Sequence, residues 1–146
     1  MSSSIVDFSQ DARVNDTEAA PLAFFYEHPQ WFTPIFQELD RRGVAYTRIH
    51  APEHFYAAGE NAPAFRVLFN RMSPSADRRE HDSAIFHTLA WLGQLELQGV
   101  RVLNGTEAFR YEVSKALQLS LLSSLGIPYP KFFTAILSAH TVYCYT

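Results

Sequence analysis

The sequence predicts an α/β domain: a single open, mainly parallel sheet of four to five strands with helices on both faces. Two observations predict it. Short apolar runs of strand length alternate with longer segments whose apolar residues recur at helical spacing, an order that implies a parallel sheet covered on both sides. Glycine and proline stops fall at the ends of those segments. The 146 residues suffice for one such domain with a sizeable core.

The first 20 residues are polar, acidic and aperiodic, and read as a mobile leader. The domain itself is expected over 21–130. "PLAFFYE" (21–27) is a short apolar run and reads as a buried strand. Trp31, Phe32, Ile35, Phe36 and Leu39 then recur at helical spacing. Thr33 followed by Pro34 predicts an N-cap and first helical position, with 29–32 as a lead-in turn. Arg41, Arg42 and Gly43 supply the cationic end and the stop. "VAYTRIH" (44–50) alternates as a second strand, and "APEHFYAAGENAP" is loop. "AFRVLFNRM" (64–72) holds the third strand, before the polar loop "SPSADRREHD".

Residues 83–99 place Ile85, Leu89, Leu92 and Leu95 on one helical stripe that ends at Gly99. "VRVLN" (100–104) is the fourth strand. Asn104 and Glu107 have the spacing of a capping box for the next helix. Ser114 restarts a helix whose Leu117, Leu121, Leu122 and Leu125 are expected to pack, and Gly126, Pro128 and Pro130 end it. The remaining 131–146 form an apolar, aromatic tail that reads as one edge strand.

Composition narrows the function. A formal net charge of −3 argues against a polyanion binder, so no nucleic acid is expected. No run reaches the roughly 20 apolar residues of a membrane span. The N-terminus has neither the basic start nor the apolar core of a secretory signal. The single cysteine, Cys144, reads as inert and fits a cytoplasmic protein.

Dinucleotide and Walker-type glycine motifs, HExxH and CxxC are all missing. His50 and His54 have Pro52 between them, so they share no helix face and read as loop residues. His81 and His87 read as structural or exposed. In parallel sheets ligands sit beyond the carboxyl ends of the strands. Past the third strand lie Asn70, Arg71, Ser73 and Ser75. Arg71 has the geometry to grip a carboxylate or phosphate with two parallel hydrogen bonds. The plainer reading pairs it with Asp77 or Glu80. Lys115 heads an otherwise apolar helix, either as solvated decoration or as a phosphate contact.

From Phe65 to Pro130 the order is a strand ending in Arg71, then "LELQGVRVLN", then "SKALQLSLLSSLGIPYP". This run resembles the N-terminal, pre-catalytic region of ATP-grasp ligases of the ribosomal-protein glutamate ligase and glutathione synthetase type. The resemblance implies ligases that phosphorylate a carboxylate with ATP and let an amine displace the phosphate, with magnesium bridging the nucleotide phosphates. It implies that Lys115 reaches those phosphates. It places Arg71, with Asn70 and Ser73, at the acceptor-substrate end of the cleft, and gives Asn104 a structural role at its strand exit.

In the family two further subdomains follow this region, roughly 150–200 residues, the scale of an additional domain. Here 16 residues follow Pro130, and "KFFTAILSAHTVYCYT" departs from the family pattern. The expectation is a chain truncated before its catalytic core, with no catalytic or metal-ligating residue of its own. ATP and Mg belong to the complete enzyme and are not expected to bind this chain tightly. The expected partner is a missing or separate ATP-grasp catalytic domain. The alternatives are a non-catalytic module docking to a separate ATP-grasp chain, and a small-ligand binder of flavodoxin-like build. A tail containing Phe132, Phe133, Val142, Tyr143 and Tyr145 is expected to favour self-association.

Overall fold

The computed structural model describes residues 20–74, 82–130, 132–137 and 140–145. The leader reading for 1–20 therefore lies almost wholly outside the described residues. So do Ser75, Asp77, Glu80 and His81, and with them the pairing of Arg71 to either acid.

The sheet is four-stranded and all parallel. Strands β1 (Leu22–Tyr26), β2 (Thr47–His50), β3 (Val67–Arg71) and β4 (Arg101–Leu103) lie in the order β2-β1-β3-β4. The chain leaves β1 in one direction to form β2, then crosses back to form β3 on its other side. The β1/β3 boundary is therefore the topological switch point, where the loops after the two strands diverge and leave a crevice.

Strand alternation sorts the side chains into two cores. Ala23, Phe25 and Leu68 face helix α2 (Asp82–Leu97) and helix α3 (Thr106–Val113), where they meet Trp91, Leu92, Leu95 and Phe109. Phe24 and Tyr26 face helix α1 (Pro29–Arg41) and meet Phe32 and Phe36. Both faces of β1 are covered, which is why its sequence reads as an uninterrupted apolar run.

Four expectations need correcting. Helix α1 begins at Pro29, not Thr33, and Pro34 lies inside it. An internal proline removes one helical hydrogen bond. Phe32 and Phe36, one turn apart and both buried against Phe24 and Tyr26, hold the first turn regardless. The Asn104–Glu107 capping box does not form. Gly105 is the N-cap of α3 and its side of the helix is capped from outside: the Thr106 amide donates to Glu96 Oε1 of α2 at 2.9 Å. A Cβ at Gly105 would lie 2.1 Å from that carboxylate oxygen, so only glycine leaves room for this cap.

The leucines of helix α4 (Lys115–Ser124) do not pack into a core. The helix has no buried residue. Finally, the tail is not one edge strand. Strands β5 (Phe132–Leu137) and β6 (His140–Tyr145) form an antiparallel hairpin, a separate two-stranded sheet. Among the described residues no helix is long and apolar enough to cross a membrane.

Candidate functional site

Register fixes what stands at the carboxyl edge. Tyr26 pairs with His50 on one side and Arg71 on the other. Paired residues on parallel strands point to the same face, so His50, Tyr26 and Arg71 form a row across three strands on the α1 side. The next row on the opposite face is Ile49, Phe25 and Asn70. Asn70 and Arg71 are sequence neighbours and therefore point to opposite faces of the sheet.

Asn70 is 1% exposed. Its Nδ2 donates to the Asn104 carbonyl at 2.9 Å, and its Oδ1 accepts from the Met72 amide at 3.1 Å. Asn104 Nδ2 returns a bond to the Asn70 carbonyl at 3.2 Å. The two asparagines thus tie the ends of β3 and β4 together where parallel pairing stops. Asn104 does so at φ 54°, a left-handed conformation that asparagine tolerates better than most residues. Arg71, by contrast, is exposed, and Ser73 beyond it is half-buried.

Just past Tyr26 the chain turns into α1. Glu27 is buried, and its Oε2 lies 3.8 Å from His28 Nε2. His28 is the N-cap of α1 but makes no side-chain cap bond, and its Nε2 has no hydrogen-bond partner. The His28 ring lies 4.2 Å from that of Trp31, which is 70% exposed in the first turn. His50 faces two acceptors, the Glu27 carbonyl at 3.1 Å and Glu53 Oε1 at 3.0 Å. Burial pushes the Tyr26 phenol up, and the Arg48 charge opposes this.

Lys115 is exposed, and its Nζ donates to Gln118 Oε1 at 2.7 Å on the same helix. Gln118 Nε2 donates to the Tyr111 carbonyl at 2.8 Å, which ties the start of α4 to the end of α3. Ser114 caps α4, accepting from the Leu117 amide at 3.3 Å. Among the described residues no group of three or more His, Cys, Asp or Glu is placed to hold a metal ion.

Sequence reasoning missed one cluster. His54 Nδ1 and His87 Nε2 lie 2.9 Å apart, although 33 residues separate them. The His54 ring packs 4.0 Å from Trp91 and 5.3 Å from Phe25. The signal available was the i, i+4 spacing of His87 and Trp91 on α2, which puts both on one helix face. The pair clamps the loop after β2 onto α2, helped by Gln98 Nε2 donating to the Glu60 carbonyl at 2.7 Å.

Burial, and then the charge of His87, push His54 down from 6.5 to about 4, and burial lowers His87 as well. The folded state thus favours the neutral ring, and this contribution is complete above pH 6.5 and lost as pH falls toward 4. Partial exposure of the ring screens the effect, which leaves about 1–2 kcal/mol. Urea unfolding at neutral pH and near pH 4.5 is expected to show this loss in the wild type. His54→Gln is expected to show a correspondingly smaller loss; an unchanged pH dependence in that variant would refute the assignment.

No protein-family model matches the chain, and no curated protein matches it. Solved structures do. One is ATP-grasp ligase PsnB complexed with precursor peptide PsnA2 and AMPPNP, with a TM-score of 0.54 at 14% identity, covering 82% of this chain and 48% of that one. Another is the same ligase complexed with minimal precursor, Mg and ADP, with a TM-score of 0.52 at 18% identity, covering 82% and 47%. The likeness is one of fold, and this chain spans just under half the length of those ligase chains.

Proposed function

We propose that this chain is the N-terminal, non-catalytic portion of a cytoplasmic ATP-dependent carboxylate–amine ligase of the ATP-grasp type. In this reading it presents the acceptor end of the cleft and docks an ATP-grasp catalytic unit. The observation that carries the proposal is α4 and its exit. Leu117 is 37%, Leu121 40%, Leu125 63% and Ile127 46% exposed. A run of exposed apolar residues of this kind marks an interaction surface. The half-length match to a ligase supports a catalytic unit as the occupant, because about half of that ligase chain has no counterpart here.

The division of labour follows from the chemistry. The catalytic unit supplies Mg–ATP and the phosphoryl transfer. The acceptor carboxylate takes the γ-phosphoryl group and ADP leaves; the amine then attacks the acyl carbon and phosphate leaves. Arg71 holds the acceptor carboxylate by its two parallel N–H groups, which orients one oxygen toward the nucleotide. Lys115, on the first turn of the docking helix, faces the phosphates once the catalytic unit is in place. Asn70 and Ser73 act behind Arg71, with Asn70 holding the strand end. The closer likeness to ribosomal-protein glutamate ligases and glutathione synthetases belongs to the same proposal.

The test is coexpression with the ATP-grasp catalytic unit read from the adjoining coding sequence, followed by size-exclusion chromatography. A one-to-one complex is expected. Separate elution, or no such unit in the adjoining sequence, would overturn the proposal. Without its partner the chain is expected to self-associate through the exposed α4 face and the tail.

A further inference from the structure

An open groove of about 360 Å³ lies between helix α1 and the Tyr26 and Arg48 side chains of the sheet. Gln30, Thr33, Gln37 and Asp40 form its helical wall, at a spacing that puts them on one helix face. Tyr26, Phe36 and Arg48 line the rest. Tyr26 is only 7% exposed, yet its hydroxyl makes no hydrogen bond among the described residues. A largely buried polar group without a partner is costly, so a hydroxyl left to a groove points to a ligand there. Burial raises the phenol's pKa, although the Arg48 charge opposes this, so the group is an O–H donor at neutral pH.

Arg48 is held in place. Its guanidinium lies over the Phe36 ring, 4.2 Å from the centroid, and one N–H group donates to the Tyr46 hydroxyl. That hydroxyl donates in turn to Asp40 Oδ1 at 2.9 Å. Asp40 Oδ2 stands 3.8 Å from Arg48 Nη2, too far for a hydrogen bond. The other N–H groups of Arg48 therefore have no hydrogen-bonded acceptor among the described residues. A charged donor and a neutral one thus face the same groove, a combination that fits an oxyanion. Asp40 sets its charge, since a carboxylate beside Arg48 repels a dianion more than a monoanion. The rings of Tyr26 and Phe36 suit an apolar body attached to that anion.

We propose that this groove binds a small molecule bearing one carboxylate on an apolar body, with the carboxylate held by Arg48 and the Tyr26 hydroxyl. Arg71 does not line the groove, so the site stands apart from the acceptor end and does not rest on that reading. Tyr26→Phe keeps the ring that packs on Phe32 and Phe36 and removes only the hydroxyl.

The test titrates the full chain with benzoate, its neutral isostere benzamide, and inorganic phosphate, followed by NMR. Benzoate is expected to saturate with a dissociation constant of about 1 mM, as suits so small a ligand. Benzamide and phosphate are each expected to bind at least about fivefold more weakly, the first for want of charge and the second for its excess. Tyr26→Phe is expected to weaken benzoate about tenfold, the worth of one hydrogen bond to a charged group, with no fall in the thermal midpoint. Arg48→Gln is expected to remove benzoate binding, and Arg71→Ala to leave it unchanged. No saturable benzoate binding by the wild type would overturn the proposal. So would equal binding of benzamide or phosphate, an unchanged benzoate affinity in Tyr26→Phe, or loss of binding in Arg71→Ala. A lower midpoint for Tyr26→Phe would show that the hydroxyl serves the fold, and would overturn it too.

Discussion

Asn70→Ala is expected to destabilise the chain by about 3 kcal/mol, lowering the thermal midpoint by roughly 10 °C. The side chain is 1% exposed and serves two backbone groups, the Asn104 carbonyl at 2.9 Å and the Met72 amide at 3.1 Å. Truncation leaves both without that partner in a place water does not readily reach, and each such loss costs about 1–3 kcal/mol. Asn70→Asp is a second variant: it keeps the acceptor for Met72 but turns a carboxylate oxygen toward the Asn104 carbonyl. It is expected to be no more stable than the alanine variant at neutral pH. Thermal unfolding of both variants is the measurement. A loss under about 1 kcal/mol would show that the asparagine bridge does not secure the strand ends.

The second large effect concerns association. Leu117→Glu with Leu121→Glu places two carboxylates one helical turn apart on the α4 face. Both leucines are already substantially exposed, at 37% and 40%, so the isolated chain is expected to keep its stability within about 1 kcal/mol. The complex with the catalytic unit is expected to weaken about 1000-fold, near 4 kcal/mol, because charges buried at an interface without partners are costly. Calorimetric or surface-binding affinities of the double variant against wild type check this. An unchanged affinity would place the docking face elsewhere.

How much of this was legible in the sequence differs by element. The parallel sheet was, because β1 is covered on both sides and so reads as a continuous apolar run. The glycine stops were, because Gly43, Gly99 and Gly126 adopt positive φ at helix ends. The start of α1 was not, since Thr33-Pro34 is a good local cap and only the sheet-side packing of Phe32 overrides it. The cap of α3 comes from Glu96, ten residues upstream in another helix, and no local pattern encodes that. Leu117 and Leu121 recur at core spacing, but spacing alone does not distinguish a face buried in the same fold from one left for a partner.

The candidate site was partly legible in the same sense. The residue types beyond β3 pointed to its carboxyl end, and register places Arg71 there beside Tyr26. The same register turns Asn70 to the other face, and alternation in a strand whose boundaries are known would have shown it. Trp31 read as one of the periodic apolar residues of the first helix, and it stands 70% exposed instead. The His54–His87 contact depends on a loop folding back over α2, a long-range event outside the reach of periodicity.

The central claim is that this chain contributes to a ligase site without holding the nucleotide itself. Lys115 bonds to Gln118, and an exposed charged contact is worth about 1 kcal/mol or less. Micromolar affinity requires about 8 kcal/mol. Isothermal titration of the isolated chain with Mg–ATP is therefore expected to give no saturable heat at micromolar concentrations. A micromolar dissociation constant for the chain alone would contradict the account.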